Sequence, residues 1–110
     1  MAREQIVEAV FLIPIREDQQ VGNGRLHPHT RWQRLTRDLY QMFDGWSREP
    51  GLVEGVYKDP DTSQAVSDKS RRYLVALPRR EIDRLRRYLR KIGPVFKQKV
   101  IYLSVAGEVE

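Results

Sequence analysis

The chain has no cysteine in 110 residues. Disulfides, thiolate metal sites and cysteine nucleophiles are therefore excluded. It has no apolar run approaching the roughly 18 residues of a membrane span. Histidine is nearly absent too, with two copies, His27 and His29, close together in HPHTRWQRL. The N-terminal stretch MAREQIVEAVFLIPI has the length of a leader. However, Glu4 and Glu8 interrupt it and no small-residue cleavage site follows, so it reads as a strand and the protein as cytoplasmic. Repeats and low-complexity segments are lacking.

What is present suits a folded domain. Apolar residues make up 40% and charged residues 32%, a balance that supports a core rather than disorder. The length fits one domain, residues 1–110. The net charge is +5, and it is localised. RREIDRLRRYLRK, residues 79–91, carries seven cations and two acids, while the remaining 13 cations and 13 acids cancel. The basic character thus belongs to one segment. Arginine outnumbers lysine 15 to 5, which suits phosphate binding but equally follows from a GC-rich coding sequence.

Residues 5–15 alternate so that Val7, Ala9, Phe11, Ile13 and Ile15 form one apolar face. Ile6, Val10 and Leu12 make the other face largely apolar as well. A strand apolar on both sides is expected at the centre of its sheet, with Pro14 ending regular pairing. Residues 16–28 read as a loop. Thr30 and Gln33 fit a capping box ahead of a helix whose stripe is Trp32, Leu35, Leu39, Met42, Phe43 and Trp46, with Gly45 as its stop. GLVEGVYKD, residues 51–59, predicts a strand and DPDTSQ a turn. A further strand is best defined at RRYLVAL, residues 71–77. Pro78 opens a second helix with Ile82, Leu85, Leu89 and Ile92 buried, ended by Gly93-Pro94. KVIYLSVAG, residues 99–107, is the last strand.

The order is β-α-β-β-α-β. It resembles the ferredoxin-like superfold, an α+β sandwich with a four-stranded antiparallel sheet and two helices on one face. The resemblance covers nearly the whole chain through element order rather than through a signature motif. GVYKDPDTSQAVSDKSRRYLVAL and KVIYLSVAGEVE are also similar to small uncharacterised bacterial domains of this fold. Helices on one side leave the other sheet face open. Ile6, Val10, Leu12, Val100, Tyr102 and Ser104 would merge there into an apolar patch, which usually marks an interface. A homodimer through that face is expected.

Candidate sites are few. His27 and His29 have a ligand-like spacing, but two imidazoles do not complete a metal site. No metal and no cofactor are therefore assigned. Either histidine is a candidate general base; alternatively HPH is a stiff lead-in to the helix, since Pro28 biases His27 to an extended shape. VGNGRLH offers glycine amides and Arg25 to an anion, or is a plain loop, because the dinucleotide fingerprint needs glycine at position 27. Trp32, Tyr57 and Tyr102 combine apolar area with polar handles and suit a pocket or a core. In SDKSRRY, Arg71 and Arg72 suit anion binding or a charged edge strand. Arg80, Arg84, Arg87 and Lys91 form a helical row suited to nucleic-acid phosphates or to a solvated helix face.

Three functions follow. The first is a small homodimeric binding or accessory domain with a small-molecule pocket near loop 16–29 and helix one. The second is a cofactor-independent dimeric α+β-barrel-type enzyme on a small organic substrate. The third is a binder of nucleic acid or an acidic partner through helix 79–91. Nothing in the sequence decides whether the protein is catalytic.

Overall fold

The computed structural model describes residues 5–110; residues 1–4, including Glu4 of the leader-like stretch, lie outside the described residues. Strand β1 spans Ile6–Pro14, and helix α1 His29–Phe43. Two short strands follow, β2 at Ser47–Arg48 and β3 at Val53–Lys58. A long strand β4, Ala65–Pro78, leads through a 3-10 turn at Arg79–Glu81 into α2, Ile82–Ile92. Strands β5, Tyr102–Val105, and β6, Glu108–Val109, close the chain.

The strands form a six-stranded sheet in the order β2-β4-β1-β5-β6, with β3 alongside β4. Every pairing is antiparallel. β1 lies between β4 and β5, as its two apolar faces predict. Phe11 sits opposite both Tyr73 and Leu103, and Ala9 opposite Val75 and Val105. These residues share one face and join Val7, Ile13 and Leu77 in the core. The helices cover that face with Trp32, Leu35, Leu39 and Phe43 from α1 and Ile82, Leu85, Leu89 and Ile92 from α2. Tyr88 ties the helices together by donating to Asp38 at 2.9 Å.

Several expectations need correction. Among the described residues the sheet has six strands rather than four. The strand expected at residues 51–59 is present as β3, and an unpredicted short strand, β2, precedes it across Pro50-Gly51, where Gly51 adopts φ +79°. A sixth strand arises because Ala106 and Gly107, both at positive φ, turn the chain back so that Glu108 pairs with Val105. β4 begins at Ala65 and is no edge strand, since β3 and β1 flank it. The capping box is not formed. Pro28, extended at ψ 150°, is the cap of α1 with no side-chain hydrogen bond, and Thr30 lies inside the first turn. The helix stops at Asp44, which is left-handed at φ 64°, so Trp46 falls beyond the helix and is 41% exposed.

Candidate functional site

Loop 15–28 folds back on itself. The Glu17 amide donates to the Arg25 carbonyl, and the His27 amide donates to the Ile15 carbonyl. An isolated bridge pairs Arg16 with Leu26. The Gln98 side-chain amide donates to the Arg16 carbonyl at 2.9 Å, and the Asp18 amide to the Lys97 carbonyl at 3.0 Å.

The loop encloses an anion, but one of its own. The Glu17 carboxylate is 4% exposed and accepts from Arg31 at 2.8 Å and from the Asn23 backbone amide at 3.2 Å. Arg25 approaches it to 3.5 Å. Gly22 packs so closely that an added Cβ would lie 2.6 Å from Glu17 Oε1. GNG and Arg25 therefore do for Glu17 what such a loop does for a bound phosphate. The Arg31 guanidinium, first among several donors, holds the Glu17 carboxyl below its ordinary range.

His27 is buried among rings. It meets Trp32 and Phe96 edge-on, with centroids 5.5 and 4.9 Å away. Its Nε2 donates to the Pro14 carbonyl at 2.8 Å, which leaves Nδ1 to accept from Arg31 at 3.0 Å. Both ring nitrogens are thus engaged. Burial lowers its pKa, although the Pro14 carbonyl opposes that shift. His29 is exposed at the first turn of α1.

Beside this loop the β3–β4 hairpin projects past the end of β1. Between them runs an open groove of about 1060 Å³. Loop residues Arg16 to Gln20 and Gly24 form one wall, and hairpin residues including Gly55, Tyr57, Val66 and Asp68 form the other. The hairpin tip is fastened across the groove's end. Lys99 reaches Asp59 at 3.2 Å, Asp61 at 2.7 Å, and Gln20. Burial, and then the nearby Asp68 charge, raise the Tyr57 phenol. Burial also raises the Asp68 carboxyl.

The predicted site residues are scattered. Tyr57 lines the groove, whereas Arg25, Trp32, Arg71, Arg72, Tyr102, His27 and His29 do not. The start of α1 lines none of it; the hairpin takes that place. Arg71 and Arg72 project to opposite sheet faces by strand alternation. The Arg71 guanidinium stacks 4.0 Å over Trp32, while Arg72 pairs with Glu49. Trp32 is core at 6% exposure, and Tyr102 stands on the open face at 44%. In the basic row, Arg84 donates to the Met42 carbonyl at 2.9 Å at the end of α1, and Arg80 pairs with Glu81 at 3.0 Å. Arg87 and Lys91 are exposed. Among the described residues, no group of three or more histidines, cysteines or carboxylates is placed to hold a metal.

Gly55, Val66 and Asp68 also line the groove; the sequence singled out neither Gly55 nor Val66, and set Asp68 only within the charged strand entrance SDKSRRY. The alternation of Val66, Asp68 and Ser70 on one face of a longer strand was the available signal.

No family model matches the chain, and no curated protein matches it. Among solved structures it is similar to a phage SAM lyase in complex with S-methyl-5'-thioadenosine, with a TM-score of 0.67 and 14% identity, over 100% of this chain and 90% of that one. It is also similar to the divalent cation tolerance protein Cut A1 of Thermus thermophilus, with a TM-score of 0.58 and 14% identity, over 92% of this chain and 82% of that one. At such identity the likeness bears on the fold, and it supports the ferredoxin-like type. No helix among the described residues is long and apolar enough to cross a membrane.

Proposed function

We propose that the protein is a small-molecule-binding domain whose site is the groove between loop 15–24 and the β3–β4 hairpin. The observation that carries this is a groove of about 1060 Å³, the size of a ligand cleft, walled by a hydrogen-bonded loop and a tied-down hairpin. A similarly folded phage protein holds a nucleoside thioether, which adds support by analogy of fold alone.

We further propose that two copies associate through the open sheet face. Leu12 and Leu74 are half-buried there, and Ile6 and Tyr102 are 59% and 44% exposed. Val10 is already covered at 7%, so less apolar surface remains than the sequence suggests, and Glu8 and the Arg72–Glu49 pair share the face. Association of modest strength follows.

Native mass spectrometry of protein purified without chelators tests both readings. A dimer retaining an extra small-molecule mass supports them together. A dimer dispersed by Leu12→Lys supports the sheet face as interface, and a monomer at all concentrations removes it. Gly55→Trp, which fills the groove, should release any retained mass; retention would place the ligand elsewhere.

The enzyme reading has less support, because neither histidine lines the groove and His27 has both nitrogens occupied. The nucleic-acid reading rests on Arg87 and Lys91, since Arg84 and Arg80 have partners within the fold. Binding to nonspecific DNA without a steep salt dependence would remove it.

A further inference from the structure

We infer that the groove selects a small organic cation, an ammonium or amidinium group carried on an apolar body, with Asp68 as its counter-ion. This assignment rests on the groove being the ligand site.

The charges around the groove single out one residue. Glu17 is neutralised by Arg31, Glu54 by Lys69 at 3.7 Å, and Asp59 by Lys99. Asp18 is half-buried too, but its carboxylate is already engaged, accepting from the Gln20 and Val21 amides of its own turn. Asp68 is different. It is half-buried, and it has no hydrogen bond or ion pair among the described residues. A carboxylate withdrawn from water without a partner is costly, and buried charges are ordinarily matched. Its burial raises its pKa, in keeping with a group waiting for a cation.

The opposite strand leaves this carboxylate uncovered. Gly55 is the direct cross-strand neighbour of Asp68. A Cβ added there would lie 3.6 Å from Asp68 Oδ1, an ordinary contact, and the glycine's φ is not positive. The backbone therefore does not require glycine; what its missing side chain supplies is room over the carboxylate. Tyr57 and Val66 form the next cross-strand pair on the same face. They give the body of a ligand an aromatic ring and a branched aliphatic to rest on, and the ring face itself attracts cations. A bare metal ion fits poorly, since no group of three or more suitable donors gathers among the described residues.

The test uses the full chain and three probes with one shared body: benzylamine, benzyl alcohol and benzoate. Amide chemical shifts are followed by NMR during titration. Benzylamine is expected to move the Gly55, Tyr57 and Asp68 amides, with at least tenfold weaker responses from the other two. Asp68→Asn should weaken benzylamine at least tenfold and at the same time raise the thermal midpoint, because an isosteric amide removes the unmatched charge. A residue with a purely structural role would not move both in those directions. Equal responses to benzoate or benzyl alcohol at the same amides would overturn the cation preference and leave the groove as a site. Shifts confined to other regions, or none with any probe, would overturn both. A lowered midpoint in Asp68→Asn would show that Asp68 has an internal partner, and would overturn its role as counter-ion.

Discussion

Tyr73 offers a sharp test of the core. It is fully buried on β4, stacked 5.6 Å from Phe11 and 6.3 Å from Trp32, with Trp46 at 6.1 Å. Its hydroxyl has no hydrogen-bond partner among the described residues. A buried polar group without a partner costs about 1–3 kcal/mol. Tyr73→Phe removes that group and keeps every ring contact. The void it leaves is about 10 Å³, which at roughly 24 cal/mol per Å³ costs about 0.2 kcal/mol. Desolvation therefore wins, and the variant should be more stable by about 1–2.5 kcal/mol. For a domain of about a hundred residues, each kcal/mol corresponds to roughly 4 °C in Tm. Urea unfolding measures it, with the midpoint rising at constant slope. A Tyr73→Phe variant less stable by about 1 kcal/mol or more would refute the reasoning. It would show that the hydroxyl is hydrogen-bonded in solution and that Tyr73 is polar by design.

Stability should fall on acidification in two stages. Between pH about 6.5 and the lower native pKa of His27, the unfolded chain binds a proton that the folded chain refuses. Below pH about 4.5 the same holds for Glu17, until its depressed native pKa is passed. His27→Gln should flatten the first stage alone in denaturation curves taken across pH about 5–7. Arg84→Ala should cost about 1 kcal/mol, because its charged donor at the Met42 carbonyl is partly screened by water. Arg87→Ala, on the exposed face of α2, should stay within about 0.5 kcal/mol. Ala106 sits at φ 52° in the two-residue turn between β5 and β6; Ala106→Asn should stabilise by up to about 1 kcal/mol in thermal melts, because asparagine tolerates that conformation better.

The periodic parts of the chain were legible from sequence. β1 has two apolar faces because it is central, and Ile82, Leu85, Leu89 and Ile92 are buried together because α2 presents one side to the sheet. What was illegible depends on partners distant in sequence. Ser47–Arg48 is a strand only because Leu74 and Tyr73 lie beside it. The Thr30 and Gln33 pattern of a capping box lost to Pro28, whose fixed backbone already directs the chain into α1. Arg25 and the glycine-rich loop gather around an anion, yet nothing in the linear pattern marks Glu17, a few residues upstream, as that anion. The loop side of the groove was legible, but its second wall was assigned to the start of α1 rather than to the outer half of β4, because the alternation of Val66, Asp68 and Ser70 is carried by a mixed set of residues without the strong apolar period of the core strands.

The pairing of β1 with β5 has a consequence for synthesis. Residues 9–12 find their second neighbour in residues 102–105, so the ribosome has made nearly the whole domain before the sheet can be completed. Until then one side of β1 keeps bare amides and carbonyls beside an apolar face, the kind of margin on which nascent chains stick to one another. The helices and the β3–β4 hairpin can form from local contacts while the chain emerges. Docking β5 against β1 is thus a contact of high sequence separation, the kind of pairing that leaves a sheet edge open to other chains until it is made.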